Sequence, residues 1–212
     1  MSVQVKCVKL LVMDFVHRWV PGTGSRTVLL LHGTGGDEND LLGLGRMIAP
    51  DASLLSPRGK VLERGMPRFF RRLSEGVFDL DDLRMRAHEL ADWITESAQQ
   101  YEFDPLGLVA LGYSNGANIA ASLLLLRPES LADAILLRAM LPFEPETAPD
   151  LSSKRVLMAN GKHDPIIPMA SSTRLVEVLR GAGAAVTFCV SQGGHGLEQG
   201  EIAEASRWYQ GL

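Results

Sequence analysis

Short apolar runs, each closed by glycine or proline, alternate along most of this chain with longer stretches of helical periodicity. Few architectures accept that alternation. "TVLLLHG" (Thr27 to Gly33) stays apolar to its end, as a strand buried on both faces must. Runs of the same kind are "ASLLSPRG" (52–59), "LGLVALGY" (106–113), "LADAILLRAML" (131–141), "KRVLMANG" (154–161) and "AVTFCVS" (185–191). Between them, "ENDLLGLGRMIAP" reads as a helix that starts at Asn39 or Asp40 and stops at Pro50, weakened by two glycines. From Asp79 to Tyr101 the residues Leu80, Leu83, Ala87, Leu90, Ile94, Ala98 and Tyr101 recur at gaps of three and four, which makes one helical face. "NGANIAASLLLLRP", "SSTRLVEVLRGAG" and a segment from Glu198 to Tyr209 complete the helices.

Strands alternating with helices predict an α/β chain with a mostly parallel central sheet and helices on both faces. A length of 212 residues suits one domain over 1–212, and no insertion is long enough for a separate cap domain. Ligands of such sheets bind at the carboxyl ends of the strands, so the loops that follow each apolar run are where chemistry is to be sought.

Composition narrows the partners. Net charge is −4, too small to favour nucleic acid or an anionic membrane, and a small molecule is the expected partner, with a homodimer compatible. The first apolar run, Leu10 to Met13, is cut by Lys9 and Asp14, so neither a signal-peptide core nor a membrane span is expected. The two cysteines, Cys7 and Cys189, are far apart and form no metal-type spacing; so few thiols fit a reducing, cytoplasmic setting.

After "LGLVALGY" comes Gly112-Tyr113-Ser114-Asn115-Gly116, a G-x-S-x-G pattern between a strand and a helix. The glycines let a serine sit on a tight turn with its hydroxyl exposed and the next backbone N–H at a helix start. A serine hydroxyl needs a base. On such turns the partners follow in the order serine, acid, histidine, and only His163 and His195 come after Ser114. His195 lies in the glycine-rich loop "SQGGHGLEQG", after a strand and before the last helix. Of the intervening acids, Asp133 is near the start of its strand and Asp150 lies in the loop "EPETAPD" with no clear strand before it. Asp164 directly follows "RVLMANGKH", at a carboxyl end, and is the expected orienting acid. His32-Gly33-Thr34-Gly35-Gly36 follows an early strand, where backbone N–H groups can reach a reacting carbonyl; the expected oxyanion donors are Thr34 and Asn115. His32 is expected to hold its loop, His163 to sit in a solvated loop, and His17 and His88 to play no functional part.

These residues resemble an α/β-hydrolase of the phospholipase/carboxylesterase type, the group with acyl-protein thioesterases and small bacterial carboxylesterases. "LLLHGTGGDENDLL", "GYSNGA", "NGKHDPIIP" and "GGHGL" stand in that family's order over nearly the whole chain. The resemblance implies Ser114 as nucleophile, Asp164 as acid, His195 as base, donors at Thr34 and Asn115, and no metal or cofactor. The thioesterase branch usually has glutamine after the serine; Asn115 here resembles the bacterial carboxylesterases instead. The expected activity is therefore hydrolysis of small carboxylic esters, with thioesters or lysophospholipids as alternative substrates. A non-catalytic binding protein on the same scaffold is the rival from another class.

The stretch from Pro57 to Asp79 has no clear element and is expected to overhang the site as a loop. Met66, Phe69 and Phe70 would form one apolar wall for an acyl chain, with Leu141 and Phe143 opposite. The stretch also carries Arg58, Lys60, Arg64, Arg68, Arg71 and Arg72, a cluster that reads either as a solvated face or as an attractor for an anionic ester.

Overall fold

The computed structural model describes residues 15–212, so Cys7 and the Leu10–Met13 run lie outside the described residues. Its centre is a sheet of seven strands in the order β1 (His17–Val20), β3 (Ser53–Pro57), β2 (Thr27–Leu31), β8 (Leu108–Tyr113), β9 (Asp133–Leu137), β10 (Arg155–Gly161) and β11 (Ala185–Ser191). All neighbours are parallel except β1 and β3. Helices α1 (Leu42–Ile48) and α5 (Gln199–Gln210) cover one face, and α2 (Leu80–Tyr101), α3 (Asn115–Leu126) and α4 (Met169–Gly181) the other.

The period of two along a strand divides the core between those faces. In β2, Leu29 and Leu31 pack towards α2 and α3, whereas Val28 and Leu30 pack towards α1 and α5. All five residues of β2 are buried, which is why the sequence there shows no alternation. Helix α3 lies between the sheet and α2, and every residue from Asn115 to Leu125 is buried, so "NIAASLLLL" has no polar side. On α2 the stripe from Leu83 to Ala98 faces inward, and the Asp79 carboxylate caps its start by accepting the Asp82 N–H. Among the described residues no helix is long and apolar enough to cross a membrane.

Three features depart from the sequence expectation. The half-exposed "HRWV" forms an edge strand, held where Trp19 stacks on Tyr101 at 4.6 Å between ring centres. The stretch after Pro57 is not elementless: it folds into two small hairpins, β4 (Val61–Glu63) with β5 (Met66–Arg68), and β6 (Arg72–Ser74) with β7 (Val77–Phe78). Their left-handed turn residues, Arg64, Gly65 and Gly76, mark the reversals. Finally, β9 ends at Leu137, short of Leu141, because Arg138 takes φ 60° and turns the chain out of the sheet.

Candidate active site

Ser114 occupies the turn between β8 and α3 with φ 52° and ψ −113°, outside the regions an L-residue adopts freely. Its neighbours have to be glycine. A Cβ at Gly112 would lie 2.5 Å from the Gly116 carbonyl oxygen, and one at Gly116 would lie 1.8 Å from that of Leu31. The turn is fastened on both sides: the Ser114 N–H donates to Leu137 O at 2.8 Å, and Ser114 O accepts the Asn118 N–H at 3.0 Å.

Three side chains meet at this point. The Ser114 Oγ is 3.1 Å from His195 Nε2, and His195 Nδ1 is 2.7 Å from Asp164 Oδ2. An ionised carboxylate only accepts, so Nδ1 carries the proton and Nε2 is left to accept the serine O–H. The other carboxylate oxygen of Asp164 accepts the N–H groups of Ile166 (2.8 Å) and Ile167 (3.1 Å). The Asp164 side chain is fully buried. Burial alone would push its pKa up, but the bonds from His195, Ile166 and Ile167 outweigh it and hold the carboxyl below its usual range. Asp133 instead accepts the Arg155 N–H at the far end of the sheet, and Asp150 caps an exposed turn.

Thr34 and Asn115 both line the cavity over Ser114, and neither backbone N–H donates to another described residue. The Asn115 side chain has a second task, accepting the Phe69 N–H at 2.8 Å and tying down the hairpin segment. On the opposite side, the Gly35 N–H donates to Pro67 O at 2.9 Å. The Thr34 loop is thus held from the hairpin as well as from β2.

His32 is buried at 1 % exposure and bonds the loop in place: Nδ1–H donates to Gly33 O at 2.6 Å and Nε2 accepts the Gly59 N–H at 2.9 Å. That pattern requires the neutral ring, and burial lowers its pKa from the ordinary 6.5. The folded state therefore refuses a proton that the unfolded chain accepts. Stability is complete above pH 6.5 and is lost as the pH falls towards the lowered folded value. Melting temperature is expected to drop over that interval, and H32Q, which cannot titrate, is expected to flatten the slope. Parallel slopes in the two proteins would contradict this role. His88 and His163 are exposed, and His17 bonds the Phe15 carbonyl and the Tyr101 hydroxyl away from the site.

The cavity beside Ser114 measures about 380 Å³, and its apolar lining is Phe78, Met140, Ile166 and Ile167. The expected walls are corrected here. Phe69 and Phe70 are buried at 3 % and 0 % in the core, Phe143 is buried beneath Arg84, Leu141 packs against the core, and Met66 lies outside on the hairpin beside Gly35. None of the five lines the cavity.

A residue with no counterpart among the sequence candidates supports the histidine loop. Arg138 is fully buried, and its guanidinium donates to the carbonyls of Gly194 (3.0 Å), His195 (3.2 Å) and Gly196 (2.5 Å) while forming a two-pronged pair with Glu201 (2.6 and 2.7 Å). The Tyr113 hydroxyl adds a bond to His195 O at 2.9 Å. Among the described residues, no group of three or more His, Cys, Asp or Glu side chains gathers as a metal ion would need.

No family model matches the chain. It is 49% identical over 194 residues to MhqD of Bacillus subtilis, whose name places it provisionally among the hydrolases; the match covers 92% of this chain and 97% of the relative. The crystal structure of a Bacillus cereus carboxylesterase superposes with a TM-score of 0.92 at 45% identity, covering 94% of this chain and 95% of the other. YahD, solved with malic acid, superposes with a TM-score of 0.87 at 31% identity, covering 93% and 98%.

Proposed function

Because the chain belongs to the α/β-hydrolases of the phospholipase/carboxylesterase family, we propose that it is a serine carboxylesterase that cleaves small carboxylic esters through an acyl-enzyme. The observation that carries this reading is the hydrogen-bonded series Ser114–His195–Asp164 beneath a cavity. In the proposed reaction the Ser114 Oγ attacks the ester carbonyl while His195 Nε2 takes its proton. Asp164 steadies the imidazolium without itself being protonated, consistent with its lowered pKa. Charge that builds on the carbonyl oxygen meets the N–H groups of Thr34 and Asn115, each of which contributes roughly 3 kcal/mol in such sites. His195 then protonates the departing alkoxide, and water activated by the same nitrogen releases the acid. One domain without a cap would carry all of this, in the cytoplasm, with no metal or cofactor taking part.

Two measurements test the reading. A fluorophosphonate probe is expected to label the folded protein at Ser114, whereas an inert Ser114 would favour a binding protein on the same scaffold. A series of p-nitrophenyl esters is expected to show rates that decline beyond acyl chains of about six carbons, because a cavity of this size is at the lower end for ligand sites. Rates that keep rising with chain length would instead favour a lipid or acyl-thioester substrate.

A further inference from the structure

The six cations between Pro57 and Asp79 divide into two groups. Arg58 grips Glu38 with two bonds, Lys60 pairs with Glu89, Arg71 reaches Asp79 and Asp82, and Arg64 occupies a hairpin turn. Arg68 and Arg72 line the cavity over Ser114 and lean on a single carboxylate, Glu63. We propose that Arg68 and Arg72 form an anion subsite, and that the ester cleaved at Ser114 carries a carboxylate, as a monoester of a short dicarboxylic acid does. The reaction rests on the esterase reading above, whereas the subsite does not.

Arg68 is only 3 % exposed, an unusual place for a charge with weak compensation. Its Nε donates to Phe70 O at 3.2 Å and its Nη1 to Thr34 Oγ1 at 2.5 Å. The nearest carboxylate, Glu63, is 3.4 Å away and already has both oxygens engaged by Arg72, at 2.8 to 3.1 Å. Two guanidinium groups therefore share one carboxylate. Burial, then the Arg72 charge, pushes the Arg68 pKa down, and Glu63 opposes this only in part. The Nη2 of Arg68 donates to no described residue, and Arg68 lines the cavity.

Asn118 supplies a second open donor. It is 3 % exposed, its Oδ1 accepts the Met140 N–H, and its Nδ2 is neither bonded to a described residue nor sealed. Glu75 also reaches the cavity, but from an exposed hairpin turn where water screens it, while the buried Arg68 acts through a lower dielectric. Thr34 links the two functions: its N–H is the proposed oxyanion donor and its hydroxyl accepts from Arg68. The anion would therefore lie one side chain from the scissile carbonyl, which suits a short diacid.

The test compares monomethyl succinate with methyl butyrate, two esters of equal acyl length, by proton release. Wild type is expected to prefer the succinate ester in kcat/KM by about tenfold, the scale of one charged hydrogen bond. R72Q, which also frees Glu63 to neutralise Arg68, is expected to erase the preference, as is R68Q if that buried site still folds. E63Q is expected to enlarge the preference, which a purely structural role for the cluster would not do. Calorimetric titration of succinate into S114A gives a readout free of catalysis: binding should weaken about tenfold with R72Q and tighten with E63Q. Equal rates on both esters in wild type, or equal losses on both in R72Q, would overturn the subsite. Succinate binding that follows these substitutions, in a protein that cleaves neither ester and resists the fluorophosphonate, would uphold the subsite and retire the esterase reading.

Discussion

S114A is expected to lower ester hydrolysis by about a million-fold in kcat and to abolish fluorophosphonate labelling, because the hydroxyl it removes is the one hydrogen-bonded to His195 Nε2. S114G should be equally inactive yet more stable than S114A. The reason is the backbone: at φ 52° and ψ −113° any side chain is strained, at a cost of roughly 1–3 kcal/mol. Both substitutions lose the same bond to His195. Only glycine also releases the strain, at the expense of roughly 0.4–1 kcal/mol for a freer unfolded chain. The difference between the two variants should therefore be about 1 kcal/mol in favour of glycine, which urea unfolding resolves. A glycine variant less stable than the alanine one would mean that the turn is not strained at Ser114. Labelling that persisted in S114A would move the nucleophile elsewhere.

Much of this arrangement was legible in the sequence for a physical reason. Strands buried on both faces carry few polar residues, so their ends are well marked, and in a parallel sheet those ends are where loops converge. Ser114, Asp164 and His195 follow β8, β10 and β11, and the structure brings the three side chains within hydrogen-bonding distance. The glycines around Ser114 were equally readable, since Leu31 and Ala117 leave no room for a Cβ. Short, half-exposed pairs carry no such pattern: "HRWV" and the two hairpins have neither a continuous apolar run nor a clean alternation. The cavity walls failed for another reason. Phe69 and Phe70 are large and apolar, and the core claims them before a pocket can; beyond Arg138 the left-handed turn ends the strand alternation, so Met140 faces the cavity and Leu141 does not. Arg138 itself looked like the polar end of "AILL", because its partner Glu201 lies 63 residues further on.

That partnership sets the second large effect. R138M is expected to destabilise the protein by about 3–5 kcal/mol, since it leaves the Glu201 carboxylate buried and unpaired. The Glu201 carboxyl is held below its usual range: burial raises it, but the Arg138 bonds and the Glu198 N–H more than compensate. Its contribution is therefore complete above the ordinary carboxylate pKa and is lost as the pH falls through the lowered folded value. In R138M the lowering disappears, and the destabilisation should shrink in mildly acid solution, where Glu201 can be neutral. The pair R138M/E201L removes both charges, and stability should return to within about 1–2 kcal/mol of wild type. Activity should not return with it. The carbonyls of Gly194, His195 and Gly196 would still lack their donor, leaving the Tyr113 hydroxyl alone on His195 O. Loosening His195, the proposed base, should lower kcat by about tenfold to a hundredfold with little change in KM, because misplacement of a catalytic group by an ångström is enough. Recovery of both stability and kcat in the double variant would show that the guanidinium serves only the fold. Recovery of stability alone would identify Arg138 as the residue that positions His195.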